Sequence, residues 1–289
     1  MTSADIRLIQ DINNIMNNGE IDENPRPKYE DGTPAHTKFV THVVRTYRLY
    51  KDEFPICTLR PIAWKNAIKE ILWIYQDQSN SLEVLENKYN IHWWNEWESK
   101  ELLGTIGVRY GETVRKHDLI NNLLHDIKND PYGRRHIMSL WQEDDFKSSD
   151  GLRPCAYETI WTVRGEYLDM LLMQRSGDML TASGAGGVNE VQYAALLMMI
   201  AHATGYKPGK FTHIVANEHI YDRHYEAAKE LIARCENLKT NDKTYTYKFD
   251  SVKMIFSPKS KNFYDFSIDD FTLVDYHPQE PQLKLELGI

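Results

Sequence analysis

Residues 152–193 read LRPCAYETIWTVRGEYLDMLLMQRSGDMLTASGAGGVNEVQY. Tyr157 to Val163 alternates and carries the β-branched and aromatic side chains that suit a pleated surface. Arg164-Gly165-Glu166 is a turn signal, and Tyr167 to Met173 is a second apolar run of matching length, which predicts a β-hairpin. Folded about Arg164-Gly165, positions whose numbers sum to about 329 face each other. Cys155 then lies beside Gln174, Arg175 and Ser176. The guanidinium should lower the thiol pKa, raise the thiolate fraction and grip an anionic ligand.

Working outward, Ala4 to Met16 has helical spacing and stops at Asn18-Gly19. Glu20 to Pro34 reads as a loop and Thr37 to Tyr50 as a strand. Pro61 is placed to start a mostly buried helix, Ile62 to Tyr75, which contains Glu70. Ser81 to Tyr89 and Leu119 to Ile127 suit helices, Gly104 to Gly111 is rich in turns, and Ile137 to Trp141 is strand-like. Glu190 to Thr204 is apolar on nearly every face, which predicts a central helix stopped by Gly205. His213 to Val215 is a short predicted strand, Arg223 to Cys235 a helix, and Lys239 to Asp250 a polar stretch. Val252 to Phe256 and Thr272 to Tyr276 are strand-like. No repeat or linker divides the chain, so the expectation is one α/β (α+β) domain over residues 1–289.

The 289 residues are 42% hydrophobic and 26% charged, as in a soluble globular protein, and can bury a sizeable core. A net charge of −8 argues against general nucleic-acid or membrane-surface binding, so an anion site must be a local basic cluster. Three cysteines without metal-ligand spacing argue against a disulfide framework or a metal site. The N-terminus resembles no secretion signal and no apolar run approaches membrane-spanning length, so a cytoplasmic location is expected.

Several short motifs occur in one order: Phe54-Pro55-Ile56 before Lys69-Glu70-Ile71-Leu72-Trp73, then Trp94-Asn95-Glu96-Trp97, Val108-Arg109-Tyr110-Gly111, and Asp130-Pro131 leading to Arg134-Arg135. Arg153-Pro154-Cys155, Gln174-Arg175-Ser176-Gly177-Asp178-Met179, Asn189 with Gln192-Tyr193, and His219-Ile220-Tyr221 follow. Together they resemble the folate-dependent, cysteine-nucleophile thymidylate synthase family, and Asp31 to Thr37 (DGTPAHT) looks like its Bacillus-type branch. The resemblance implies a thymidylate-synthase-like fold with a large twisted mixed sheet covered by helices. It implies a homodimer, and a reaction that methylates dUMP to dTMP. The co-substrate, 5,10-methylenetetrahydrofolate, would donate both one carbon and hydride, without a metal.

In that frame Cys155 adds to C6 of the uracil, because C5 alone is a poor nucleophile. The plain alternative is a small core thiol, which Cys57 and Cys235 remain. Arg175 and Ser176 would bind the phosphate, Gln174 would also contact dUMP, and Arg134 and Arg135 would enter the partner subunit's phosphate site. Asn189 would read the pyrimidine edge, accepting from N3–H and donating to O4, although it stands where a helix cap belongs. Asp178 would bond the pterin as well as serve the nucleotide site, against a plain turn-forming role. His219 and Tyr221, on one face of a strand, would bond the 3′-hydroxyl. Glu70, in an apolar helix, would have a raised pKa suited to proton traffic, against a place on the polar stripe with Lys65 and Lys69. Trp94 and Tyr110 would flank the folate and the reacting carbon, Arg60 and Trp97 would contact the folate, and Ile289 would close over the site.

Two departures stand out. Where the family places another phosphate arginine, near Asp31 to Thr37, this chain has Gly32 or Thr33. Leu180 to Val188 (LTASGAGGV) is longer and richer in glycine, which predicts a loop that is mobile without ligand and lines both substrates. It leaves open a deoxyuridylate hydroxymethylase, adding water rather than hydride, or a non-catalytic nucleotide-binding homologue. A bulky Trp94 favours hydride by keeping water away.

Overall fold

The computed structural model describes residues 1–238 and 252–289; the stretch Lys239 to Asp250 lies outside the described residues. The chain begins with α1 (Ser3–Asn18), β1 (Glu20–Ile21), β2 (Thr37–Arg48), α2 (Trp64–Tyr75) and α3 (Leu82–Tyr89). Next come α4 (Gly111–Lys116), α5 (Leu119–Asn129), β3 (Ile137–Ser139), α6 (Glu143–Ser148), β4 (Ala156–Arg164), β5 (Tyr167–Gln174) and β6 (Gly177–Asp178). It ends with α7 (Val188–Thr204), β7 (Lys207–Tyr221), α8 (Tyr225–Glu236), β8 (Lys253–Phe256) and β9 (Phe271–Val274).

One mixed sheet has the order β1-β2-β7-β5-β4-β3, with β6 beside β7. β2 and β7 are antiparallel, β7 and β5 parallel, and β5 and β4 antiparallel. α7 packs against β5, β7 and α2, and 12 of its 17 residues are buried. Gly205 ends it in the left-handed conformation, φ +86°.

The predicted hairpin forms, with its turn one residue later than expected. Arg164 pairs with Tyr167, so Gly165-Glu166 make the turn, and Gly165 takes φ +61°. A bulge between Ala156 and Glu158 then absorbs one residue, and Arg175 N donates to Cys155 O at 2.9 Å. The helix expected from Ile62 starts at Trp64, leaving Pro61 outside it. Tyr276 holds the preceding backbone out: its hydroxyl accepts from Ile62 N and donates to Cys57 O.

The strand expected at His213 to Val215 is the middle of a strand of 15 residues. Its apolar alternation is broken by His213 and Glu218, yet both are fully buried, because Arg45 on β2 crosses beneath them. Arg45 Nε lies 2.8 Å from Glu190, its Nη2 2.9 Å from Glu218, and its Nη1 2.8 Å from Asp11. Burial pushes the Glu218 carboxyl up to about 7, whereas Arg45 and His213 hold Glu190 down at about 2 against its own burial.

The glycine-rich segment is not the loosely held loop expected. Met179–Ser183 forms a π-helical turn, and Arg45 Nη2 donates to Ser183 O at 2.8 Å. Gly186 N donates to Glu190 Oε2 at 2.7 Å, and Gly186 O accepts from Cys57 N at 3.0 Å. At φ +69°, a Cβ on Gly186 would stand 2.4 Å from Cys57 N, so this position requires glycine. The chain's last residue is also tied down, exchanging backbone hydrogen bonds between Ile289 and Lys28. No described helix is long and apolar enough to cross a membrane.

Candidate active site

An open cleft of about 1350 Å³ lies between the start of β4, the N-terminal end of α7, α2 and the chain's last three residues. It brings together Cys155, Glu70, Asn189, Arg175, Tyr110, Trp94, Gln174, Ser176, Asp178, His219, Tyr221, Trp97 and Ile289. Arg134, Arg135 and Arg60 are not on its wall.

Cys155 stands just before β4. Its Sγ is 3.5 Å from Arg175 Nη2, whose guanidinium is anchored by Nε to Pro154 O (3.0 Å) and by Nη2 to Arg153 O (2.8 Å). Tyr110 OH accepts from Cys155 N at 3.3 Å. Tyr110 does so from a strained backbone, φ +47°, which a bulky side chain adopts only when its surroundings impose it. The expected lowering of the thiol pKa is overturned. Burial pushes the Cys155 thiol up, and the opposing charges of Arg175 and Arg26 do not offset it. Alkylation of Cys155 by iodoacetamide in the ligand-free protein should therefore keep rising with pH past about 8.5, the ordinary thiol value. A rate already level below that pH would mean that the cations dominate.

Glu70 faces the cleft from α2 and accepts from Trp93 Nε1 at 2.6 Å. Burial raises its carboxyl to about 7, with the Trp93, Gln192 and Trp94 donors working against the rise. The polar-stripe alternative fails, since Glu70 is buried. Asn189 does not cap its helix: Gly187 occupies that place, and Asn189 is the second helical residue. Its Oδ1 accepts from Gln174 Nε2 at 3.2 Å, and its Nδ2 donates to Gln192 Oε1 at 3.0 Å.

Asp178 keeps the turn role, accepting from Thr181 N at 3.3 Å, while also facing the cleft. His219 and Tyr221 share one face of β7, with ring centroids 5.3 Å apart. Trp94 packs edge-on against Tyr110 at 5.1 Å and Trp97 at 5.7 Å, forming an aromatic wall with Trp93 and Trp141.

Arg60, expected to contact the folate, does not line the cleft but is close enough to Asp178 on its wall to feel that charge. It is buried, and desolvation lowers its pKa. Arg134 and Arg135 are exposed on the segment before β3, and Arg135 lies 3.8 Å from Asp130. Two residues of the site escaped the sequence reasoning. Trp93, next to the tryptophan singled out, donates to Glu70 at 2.6 Å. Arg26 reaches the cleft near enough to act on Cys155, from the same loop in which an arginine was sought nearer Asp31. Its signal was a lone basic residue between two prolines, Pro25 and Pro27.

A thiol, fixed cations and a half-ionised carboxyl around an aromatic-walled cleft equip the chain for covalent catalysis on a small anionic substrate, as an enzyme of the transferase class. Comparison with known proteins carries this further. The family model described as thymidylate synthase matches residues 7–289. Thymidylate synthase of Streptococcus pneumoniae is 50% identical, covering 100% of both chains, and that of Streptococcus sanguinis is 48% identical with the same coverage. Among solved structures, thermostable thymidylate synthase A from Bacillus subtilis matches with a TM-score of 0.85 at 35% identity, covering 99% of each chain. The chain belongs to the thymidylate synthase family.

Proposed function

We propose that this enzyme, as one catalytic domain, methylates dUMP to dTMP. The observation that carries the reading is Cys155 Sγ held 3.5 Å from the anchored Arg175, on a cleft shared with Glu70 and Asn189. Arg175, Ser176 and Arg26 bind the phosphate, so Arg26 supplies the cation that Gly32 and Thr33 do not. Gln174 supports the pyrimidine end, Asn189 reads the 4-oxo edge, and His219 and Tyr221 take the 3′-hydroxyl. The Cys155 thiolate adds to C6, which turns C5 into a carbon nucleophile. Glu70, near half-ionised at neutral pH, moves protons at O4 and C5.

The family's co-substrate, 5,10-methylenetetrahydrofolate, supplies the one-carbon unit and the hydride. Its fit is supported by the aromatic wall of the cleft, on which a conjugated ring system can stack. Trp94 and Tyr110 exclude water from the reacting carbon, Trp97 and Asp178 hold the ring system, and the Ile289 end covers it. The dry wall and the family match favour methylation over hydroxymethylation or binding without turnover.

The enzyme works as a homodimer. β2 presents Val44 57% exposed and β3 presents Ile137 50% exposed, apolar side chains that a partner subunit would cover. Arg134 and Arg135, free of their own cleft, extend to the partner's phosphate. Reduced thiols at Cys57 and Cys155 suit a cytoplasmic location. Incubation with dUMP and methylenetetrahydrofolate should give dTMP and dihydrofolate in equal amounts. Hydroxymethyl-dUMP without dihydrofolate, or no product, would overturn the assignment.

A further inference from the structure

A chain of buried polar contacts runs from Arg45 to the edge-reading amide. Glu190 Oε1, which accepts from Arg45 Nε at 2.8 Å, is 3.1 Å from His213 Nδ1. His213 Nε2 is 3.0 Å from Gln174 Oε1. Gln174 Nε2 spends both hydrogens, one on Ser176 O at 3.0 Å and one on Asn189 Oδ1 at 3.2 Å.

The polarity of this chain follows from one contact. Ser176 O is a backbone carbonyl and can only accept, so the amino end of Gln174 faces it and the oxygen faces His213. His213 Nε2 must then carry a proton. Asn189, receiving a hydrogen from Gln174, must turn its own amino group toward Gln192 Oε1. That leaves one lone pair of Oδ1 and one N–H of Asn189 for the cleft. This acceptor-and-donor pair matches N3–H and O4 of a 4-oxo pyrimidine and opposes a 4-amino one. At the far end Gln192 presents Oε1 to Asn189 Nδ2 and its amino group toward Glu70, which holds Asn189 in the same sense.

We propose that His213, held by Glu190, is a positioning residue that sets which way Asn189 presents its amide, and so sets the preference for a 4-oxo over a 4-amino pyrimidine nucleotide. The inference rests on the proposed use of dUMP and goes beyond it by assigning the preference to residues that do not line the cleft. The Glu190 carboxylate calls for a proton on Nδ1 as well, while burial and Arg45 push the imidazolium pKa down. Both contacts are met together only when both ring nitrogens carry protons; with a single proton Gln174 and Glu190 compete for it.

The test compares dUMP and dCMP binding by calorimetry in the intact protein, in His213→Phe and in His213→Gln. His213→Phe leaves Gln174 Oε1 buried without a donor, and the ratio of dCMP to dUMP dissociation constants should fall about tenfold. His213→Gln retains an N–H toward Gln174 and should keep most of the ratio. An unchanged ratio in folded His213→Phe, or an equal fall in His213→Gln, would overturn the inference. Nitrogen-15 spectra of the unmodified protein provide a reading that needs no His213→Phe folding. A protonated Nε2 on His213 is expected, and a lone pair there in a protein that binds dUMP overturns the inference alone. Failure of the unmodified protein to bind dUMP would overturn the proposed function as well.

Discussion

Cys155→Ser should lower turnover by on the order of 10⁴-fold while dUMP binding stays within about threefold. A serine hydroxyl is far weaker as an acid than even a thiol pushed up by burial, so no usable anion forms to attack C6. The binding groups do not depend on the sulfur. Arg175 is anchored by the carbonyls of Pro154 and Arg153, and Asn189 by Gln174 and Gln192. Chromatographic assay of dTMP with calorimetry of dUMP separates the two effects. Turnover within tenfold of the parent would remove Cys155 from the nucleophile's role, and lost binding would make the cysteine structural.

The second large effect concerns stability. Arg45→Ala should cost about 3–5 kcal/mol, read from the urea midpoint, because it leaves buried carboxylates without their cation. Arg45 is 1% exposed and ion-paired to Glu190, Glu218 and Asp11. The sign with pH follows from the two glutamates. Glu190, held at about 2 in the folded protein, contributes stability above the unfolded carboxylate range that is lost as pH falls toward 2. Glu218, raised to about 7, does the reverse: the folded state keeps its proton longer, and that contribution is lost as pH rises toward 7. Without Arg45 the stranded carboxylates can take up protons at pH 5 but not at pH 8. The deficit should therefore be larger at pH 8. An equal deficit at both, or one under about 1 kcal/mol, would mean that the cluster is not held by the arginine.

The hairpin was legible because alternation and turn chemistry are local: Tyr157 to Val163 and Tyr167 to Met173 carry their own pattern around Gly165. α7 was legible for the same reason, its apolar surface being complete within one segment. β7 was not, because His213 and Glu218 make sense on a buried strand only once Arg45 arrives from β2. The tightness of residues 180–188 was hidden likewise, since Arg45, Cys57 and Glu190 hold them from elsewhere in the chain.

At the site, the ordered motifs located most of the cleft wall, yet proximity alone misjudged the acidity of the thiol. Pairing Cys155 with Arg175 was correct, but the desolvation that outweighs the cation depends on everything packed around the sulfur. The burial of Arg60 was not legible either, since depth under the surface has no local signature. Arg26 sits in a loop, where no periodicity dictates which residue turns inward.

The aromatic wall has a practical consequence. Four of the seven tryptophans, Trp93, Trp94, Trp97 and Trp141, stand on the cleft, and two of them flank Glu70 and Tyr110. A conjugated ring entering there meets more than half of the molecule's indoles at once. The intrinsic ultraviolet emission of the unlabelled protein is thus a direct gauge of cleft occupancy, and the order in which two ligands enter can be followed by light alone.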